Sequence, residues 1–168
     1  MAQNAEGGNP RSRVSMLEEE GEVAADYLEE LLDIADLDGD IEIDVEHGRA
    51  ALAVVADDPS AVKHLVGQDG EVLDALQELT RLAVQAKTGD RSRLMLDIAG
   101  YRSQRKAELT VLANNAIAKV QEQNRTIALE PLNAFERKVV HDVVTAAGLS
   151  SESHGVDPDR YIEISPAK

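Results

Sequence analysis

Apolar and polar positions along the chain repeat with two periods, helical and alternating, and their order outlines the fold. From Leu17 to about Asp36 apolar residues recur at helical spacing: Ala24, Leu28, Leu31 and Ala35, with Tyr27 and Ile34 beside them. Acids fill the other face, which predicts an amphipathic helix whose first-turn glutamates suit the positive end of its dipole. Asp38-Gly39-Asp40 breaks it. Ile41, Ile43 and Val45 then alternate with Glu42, Asp44 and Glu46, the period of a half-buried strand. His47-Gly48 reads as a two-residue hairpin loop, with the return strand over Arg49 to Ala56.

Asp57-Asp58-Pro59-Ser60 is a helix start, with Asp58 as N-cap and Pro59 in the first helical position. That short helix runs to Val66 and stops at Gly67. A second follows with Val72, Leu76, Leu79 and Ala83 on one face and Leu73 alongside, ending at Lys87-Thr88-Gly89. Leu94, Leu96 and Ile98 alternate as a third strand, closed by Gly100. A long helix is predicted from about Arg102 to Gln123, packing through Leu109, Leu112, Ala116 and Val120. A short strand over Thr126–Leu129 precedes a helix with Asn133 as N-cap and Glu136 three residues on, a capping box by type. It ends at Gly148, and Arg160–Ile164 offers a last strand.

The period yields an α+β chain of two small domains, with 168 residues being room for one domain or two at ~150 residues each. Residues 1–15 are expected to be a disordered tail, 16–100 one domain and 101–168 the other. No Gly/Pro/Ser-rich stretch separates Gly100 from Pro131, so the long helix is expected to join two packed domains.

Composition narrows the function classes. With 43% hydrophobic and 29% charged residues the chain is of ordinary globular type. No apolar run is long enough to cross a bilayer, and the first fifteen residues lack the apolar core of a secretory signal. There is no cysteine, which excludes disulfides, thiolate metal sites and thiol catalysis. The expected setting is cytoplasmic, without membrane insertion.

The net charge of −15, taken whole, argues against nucleic acid, but its distribution reverses that inference for one half of the chain. Residues 1–100 hold 23 acids and 8 Lys+Arg; residues 101–168 hold 9 of each. Residues 14–48 alone carry fourteen acids and no Lys or Arg. The C-terminal half is therefore able to present a basic face.

Two places could carry binding chemistry. Gly67-Gln68-Asp69-Gly70 is a G-x-x-G turn between two helices, where glycines admit a close backbone approach and the next helix offers its positive end to phosphate. The same residues would serve any tight turn between helices. The second place is Arg137-Lys138-Val139-Val140-His141. At 100° per residue Phe135, Val139, Val143 and Ala146 lie together, widened by Val140 and Ala147. Arg137 and His141 fall on the opposite face with Lys138 nearby, a solvated cationic set suited to phosphate or to the bland polar side of a helix.

The strand–strand–helix–loop–helix–strand order around Gly67–Gly70, preceded by a helix and strand, resembles a KH domain of the bacterial (type II) arrangement: a three-stranded sheet with helices on one face. That family's loop usually includes Lys or Arg at its two middle positions, where this chain has Gln68 and Asp69. Leu129 to His141 resembles the core of the Arg-x-x-x-His domain, a binder of single-stranded nucleic acid with helices on a small sheet. Ser153-His154-Gly155, with Pro158 and Arg160, looks like its Ser-x-Gly turn and basic closing strand. The two in this order, over about residues 17–166, resemble the Jag (SpoIIIJ-associated, KhpB-like) family, in a short form without its further N-terminal domain.

The resemblance implies a regulator that binds single-stranded RNA or DNA, mainly RNA, in post-transcriptional control linked to cell elongation and division. Arg137 and His141 would contact the strand, with Lys138 and Arg160 on phosphates and Gly67, Gln68, Asp69 and Gly70 as the KH loop. It leaves room for a KH-domain protein partner or a homodimer. The rival class is a protein-interaction adaptor whose acidic helix and strand dock a basic partner and whose KH domain has lost nucleic acid. Catalysis is not expected: His47, His64, His141 and His154 are scattered without metal-ligand spacing, and no P-loop or nucleophile elbow occurs. No cofactor and no metal are expected.

Overall fold

The computed structural model describes the backbone from residue 10 and side chains from residue 13, to residue 168. Helix α1 spans Pro10–Ile34, so it is already formed seven residues before Leu17. The expected tail is therefore helical from residue 10, and the rest of it lies outside the described residues. Glu18, Glu19 and Glu20 consequently lie well inside the helix, not in its first turn. Ala24, Ala25, Leu28 and Leu32 are buried, whereas Ile34 is exposed and Ala35 lies past the helix end.

Strands β1 (Asp40–Glu46) and β2 (Arg49–Val55) form an antiparallel hairpin in which Glu46 pairs with Arg49. The two loop residues, His47 at φ 52° and Gly48 at φ 71°, take the left-handed conformations that match the strand twist. β2 alternates Ala50, Leu52 and Val54 into the core. β1 is an edge strand and more open than expected: Ile43 is 42% exposed. The short helix after β2 is a 3₁₀ segment, Pro59–Leu65, whose cap Asp58 accepts from Ser60 N at 3.0 Å.

Helix α2 (Glu71–Thr88) buries Leu73, Leu76, Thr80 and Val84. The expected face, Val72, Leu76, Leu79 and Ala83, is one residue off. Both rows have helical spacing, and Thr80 can be buried because its hydroxyl donates to Leu76 O at 2.6 Å. Val72, Leu79 and Leu82 are left exposed. β3 (Met95–Ile98) then pairs parallel with β2, giving the order β1-β2-β3. The sheet buries one face, Ala50, Leu52, Val54, Leu96 and Ile98, against α1 and α2. The order helix, strand, strand, helix, tight glycine loop, helix, strand is the one expected from the sequence.

The chain divides into two compact units, one ending at Tyr101 and one from Arg102 to Lys168. In the second, α3 (Tyr101–Gln123) buries Leu109, Ala113, Ala116, Ile117 and Val120; Leu112, expected in that row, is 40% exposed. β4 (Ile127–Ala128), α4 (Ala134–Ala146), β5 (Ser150–His154) and β6 (Tyr161–Ser165) complete it, with sheet order β4-β6-β5 and all pairs antiparallel. β5 reads Ser-Ser-Glu-Ser-His and has no apolar alternation, so the periodicity does not reveal it.

Candidate nucleic-acid interface

Helix α4 supplies the centre of the site, and its start is fixed locally. Asn133 Oδ1 accepts from Glu136 N at 2.9 Å, and Glu136 Oε1 accepts from Asn133 N at 3.1 Å, closing the expected capping box. Glu136 is itself buried and its other oxygen accepts from Arg105 Nε at 2.6 Å. The cap therefore anchors α4 to α3 as well as to its own first turn.

Arg137 is not solvated, which corrects the expectation from helical spacing. It is 8% exposed, and its Nη1 donates to Leu132 O at 2.6 Å and to Asp157 Oδ1 at 2.8 Å. The angular geometry shows why. Arg137 lies only about 60° around the helix from the buried Val140, on the flank of the core rather than opposite it. A guanidinium tolerates that flank because a carbonyl and a carboxylate meet its donors. Phe135 sits under the Arg102 guanidinium, 5.1 Å from Cζ to the ring centre.

His141 follows one turn later. Its Nδ1 is 2.6 Å from Ser151 Oγ and its Nε2 is 3.0 Å from Ser153 Oγ. Each hydroxyl can donate or accept, so the neutral ring is satisfied in either tautomer. Burial, then the nearby charge of Arg137, holds the imidazole below its ordinary titration range, with Asp142 opposing. Ser151 and Ser153 are the residues that sequence reasoning misses as partners of this ring; they lie two apart in β5, on one face of the strand. Gly155, at φ 87°, turns the chain after them.

Lys138 is exposed and pairs with Asp142 at 3.0 Å, an i,i+4 pair of low strength that a phosphate can displace. Arg160 is half-buried, and its carbonyl accepts from Leu132 N at 3.0 Å, next to the carbonyl that binds Arg137. Asp157, Leu132 and Arg160 thus join the loop before β6 to the start of α4. Arg137, Lys138, His141 and Arg160 all belong to the second unit, whereas Gly67, Gln68, Asp69 and Gly70 belong to the first.

In that loop Gly67 (φ 73°) and Gly70 (φ 78°) adopt conformations that favour glycine, and Gln68 and Asp69 are exposed. A Cβ on Gly70 would stand 2.7 Å from Tyr101 Cε1, so close packing as well as φ requires glycine here. Asp69 takes φ 55° and presents a carboxylate, not a cation, at the loop tip. Among the described residues no group of His, Asp and Glu could hold a metal ion, and no helix is long and apolar enough to cross a membrane.

The titration of His141 has a consequence for stability. The unfolded chain takes up a proton first as pH falls past about 6.5, so the neutral ring contributes fully above that value and its contribution is lost below it. Thermal unfolding temperatures are expected to fall between about pH 7 and pH 5. The His141→Gln variant, which keeps polar contact with both serines but does not titrate, should show a shallower fall. An equal fall in both proteins would remove His141 as a cause.

An arginine and a histidine one turn apart on a capped helix, over a three-stranded sheet, define a unit of the Arg-x-x-x-His class. The family model of the Arg-x-x-x-His domain matches residues 107–166. Over 144 residues the chain is 32% identical to the RNA-binding protein KhpB of Clostridium symbiosum, covering 84% of this chain and 64% of that protein. It is 33% identical over 104 residues to the RNA-binding protein KhpB of Bacillus subtilis (strain 168), covering 60% and 50%. The KhpB of Lactiplantibacillus plantarum is 28% identical over 144 residues, covering 85% and 44%. The chain is similar to these KhpB proteins and spans 64%, 50% and 44% of their lengths.

Proposed function

We propose that this chain binds single-stranded nucleic acid, RNA before DNA, through the rim formed by His141, Lys138 and Arg160, with Arg137 holding that rim in place. The observation that carries the reading is His141, held neutral between Ser151 and Ser153 one turn from a clamped Arg137. With both ring nitrogens engaged, the imidazole orients the Ser151 and Ser153 hydroxyls, whose remaining hydrogen-bonding capacity can meet a sugar or base edge, and Lys138 supplies a mobile charge for phosphate. Aromatic side chains are 2% of the chain, so binding proceeds without a stacking platform. The names of the relatives support RNA as the ligand.

Two domains share the work in this proposal: a KH-like domain over residues 16–100 and the Arg-x-x-x-His domain over 101–168. Gly67, Gln68, Asp69 and Gly70 contribute little to phosphate binding, because the loop tip carries Asp69 and no cation. The regulatory role is post-transcriptional, cytoplasmic and linked to cell elongation and division, as the Jag resemblance implies, and the protein acts by binding, not by catalysis.

The test is fluorescence anisotropy with a single-stranded RNA ten nucleotides long. Lys138→Ala with His141→Ala should weaken binding about tenfold and lower the salt slope by ~0.7, one phosphate contact on a single strand. Gln68→Ala with Asp69→Ala should leave affinity equal or slightly higher. Loss of binding on loop substitution, with the first pair of changes silent, would overturn the assignment.

A further inference from the structure

The first unit is the acidic one, yet four of its six arginines gather in one place. Arg49, Arg81, Arg91 and Arg93, four of the eight basic residues among the first hundred, line an open pocket of about 470 Å³ together with Ser92. No Asp or Glu is in that lining. Arg49 stands at the start of β2, Arg81 on α2, and Arg91 and Arg93 on the connection from α2 to β3. Arg81 is about 15 Å along α2 from Glu71, so the pocket lies well away from the Gly67–Gly70 loop.

The guanidinium groups of Arg81 and Arg49 are held, not merely nearby. Arg81 Nε donates to Leu94 O at 2.9 Å, and its Nη1 pairs with Glu78 at 3.1 Å. Arg81 Nη2 and Arg49 Nη1 both approach Met95 Sδ, at 3.7 and 3.8 Å, so the two cations stand side by side across one sulfur. Ser92 is buried and bonds Glu20, which fixes the backbone between Arg91 and Arg93. Among the described residues no carboxylate lies within ion-pair distance of Arg49, Arg91 or Arg93. Three like charges packed beside Arg81, with Glu78 as the one paired carboxylate, leave an excess of positive charge that favours an anion between them. Planar forks of donors match phosphate oxygens, and a lining without aromatic side chains reads charge rather than bases.

We infer that this pocket is a second phosphate-binding site, which takes the phosphodiester backbone of the same single strand that the Arg-x-x-x-His unit binds. It gives the KH-like unit a basic contact that its acidic loop does not offer. The inference rests on the nucleic-acid reading above. A free polyphosphate shares the phosphate chemistry, and the experiment separates the two.

The probes are a single-stranded RNA of twenty nucleotides and, separately, inorganic pyrophosphate, each titrated into the full chain while the arginine Nε–H resonances are followed by NMR. Anisotropy with the same RNA is compared between the natural chain and Arg91→Gln with Arg93→Gln, two exposed positions whose change leaves the core intact. The expected result is that RNA shifts the Arg49, Arg81, Arg91 and Arg93 signals and that the variant's salt slope falls by ~1.4, two phosphate contacts. RNA binding with these signals and the slope unchanged would overturn the inference and leave the proposed function standing. If pyrophosphate shifts the signals but RNA binds nowhere on the chain, the proposed function fails and the pocket belongs to a free polyphosphate. Silence towards both probes would overturn the site itself.

Discussion

Replacing Arg137 by alanine is expected to cost about 2–4 kcal/mol of stability in urea unfolding, and to weaken single-strand binding in the fraction that remains folded. Its side chain is only 10% exposed, while its partner Asp157 is 64% exposed. Breaking a fully buried pair costs ~3–5 kcal/mol; here the stranded carboxylate rehydrates, which lowers the charge part of that figure. Against this, Leu132 O loses a charged donor at 2.6 Å, and the stem of the arginine leaves a void beside Val140. Asp157→Asn, which keeps a hydrogen-bond acceptor at an exposed position, should cost less than about 1 kcal/mol. A loss below about 1 kcal/mol for Arg137→Ala would mean that the clamp does not hold the loop before β6. The prediction separates two roles for one residue. An outward, solvated arginine would lose affinity and almost no stability, whereas a clamp loses both.

That distinction also marks the limit of what local pattern reveals. The strands β1, β2, β3 and β6, the two-residue hairpin, the Asp58 cap and the Asn133–Glu136 box follow from short-range rules: alternation, turn chemistry and capping act between residues a few positions apart. Which face of a helix is buried does not. α2 carries two apolar rows one residue apart, and periodicity alone cannot choose between Leu79 and Thr80; the choice lies in the sheet it packs on. The burial of Arg137 is hidden for the same reason, since an arginine on the flank of a helix is buried only when distant groups, here Leu132 O and Asp157, come to meet it. β5 is hidden because Ser151 and Ser153 turn inward to a histidine, not to an apolar core. Positions 137 and 141 are legible in the sequence, and their partners are not. The arginine pocket is illegible altogether, because it joins residues as far apart as 49 and 93, and no local pattern links them.

Glu136→Ala should be the other severe change, at about 2–3 kcal/mol, and the comparison with glutamine decides how the loss is divided. The carboxylate does two things at once: Oε1 accepts from the Asn133 backbone N–H, and Oε2 accepts from Arg105 Nε. Alanine removes both, leaving a helix N–H uncapped at a cost of ~1 kcal/mol and a charged donor without its acceptor at a further ~1–2. Arg105 is 31% exposed and also reaches Glu108 at 3.0 Å, so water and that second carboxylate take up part of the second loss. Glutamine keeps an oxygen for the cap and loses the charge; about half the effect should remain. A double-mutant cycle with Arg105→Ala isolates the ion pair, for which a coupling of roughly 1 kcal/mol is expected, above the value of an exposed pair because Glu136 is buried. Urea unfolding of the four proteins supplies the cycle. Coupling indistinguishable from zero, with alanine and glutamine equally costly, would assign the whole effect to burial of the side chain and leave the link between α3 and α4 without an energetic role.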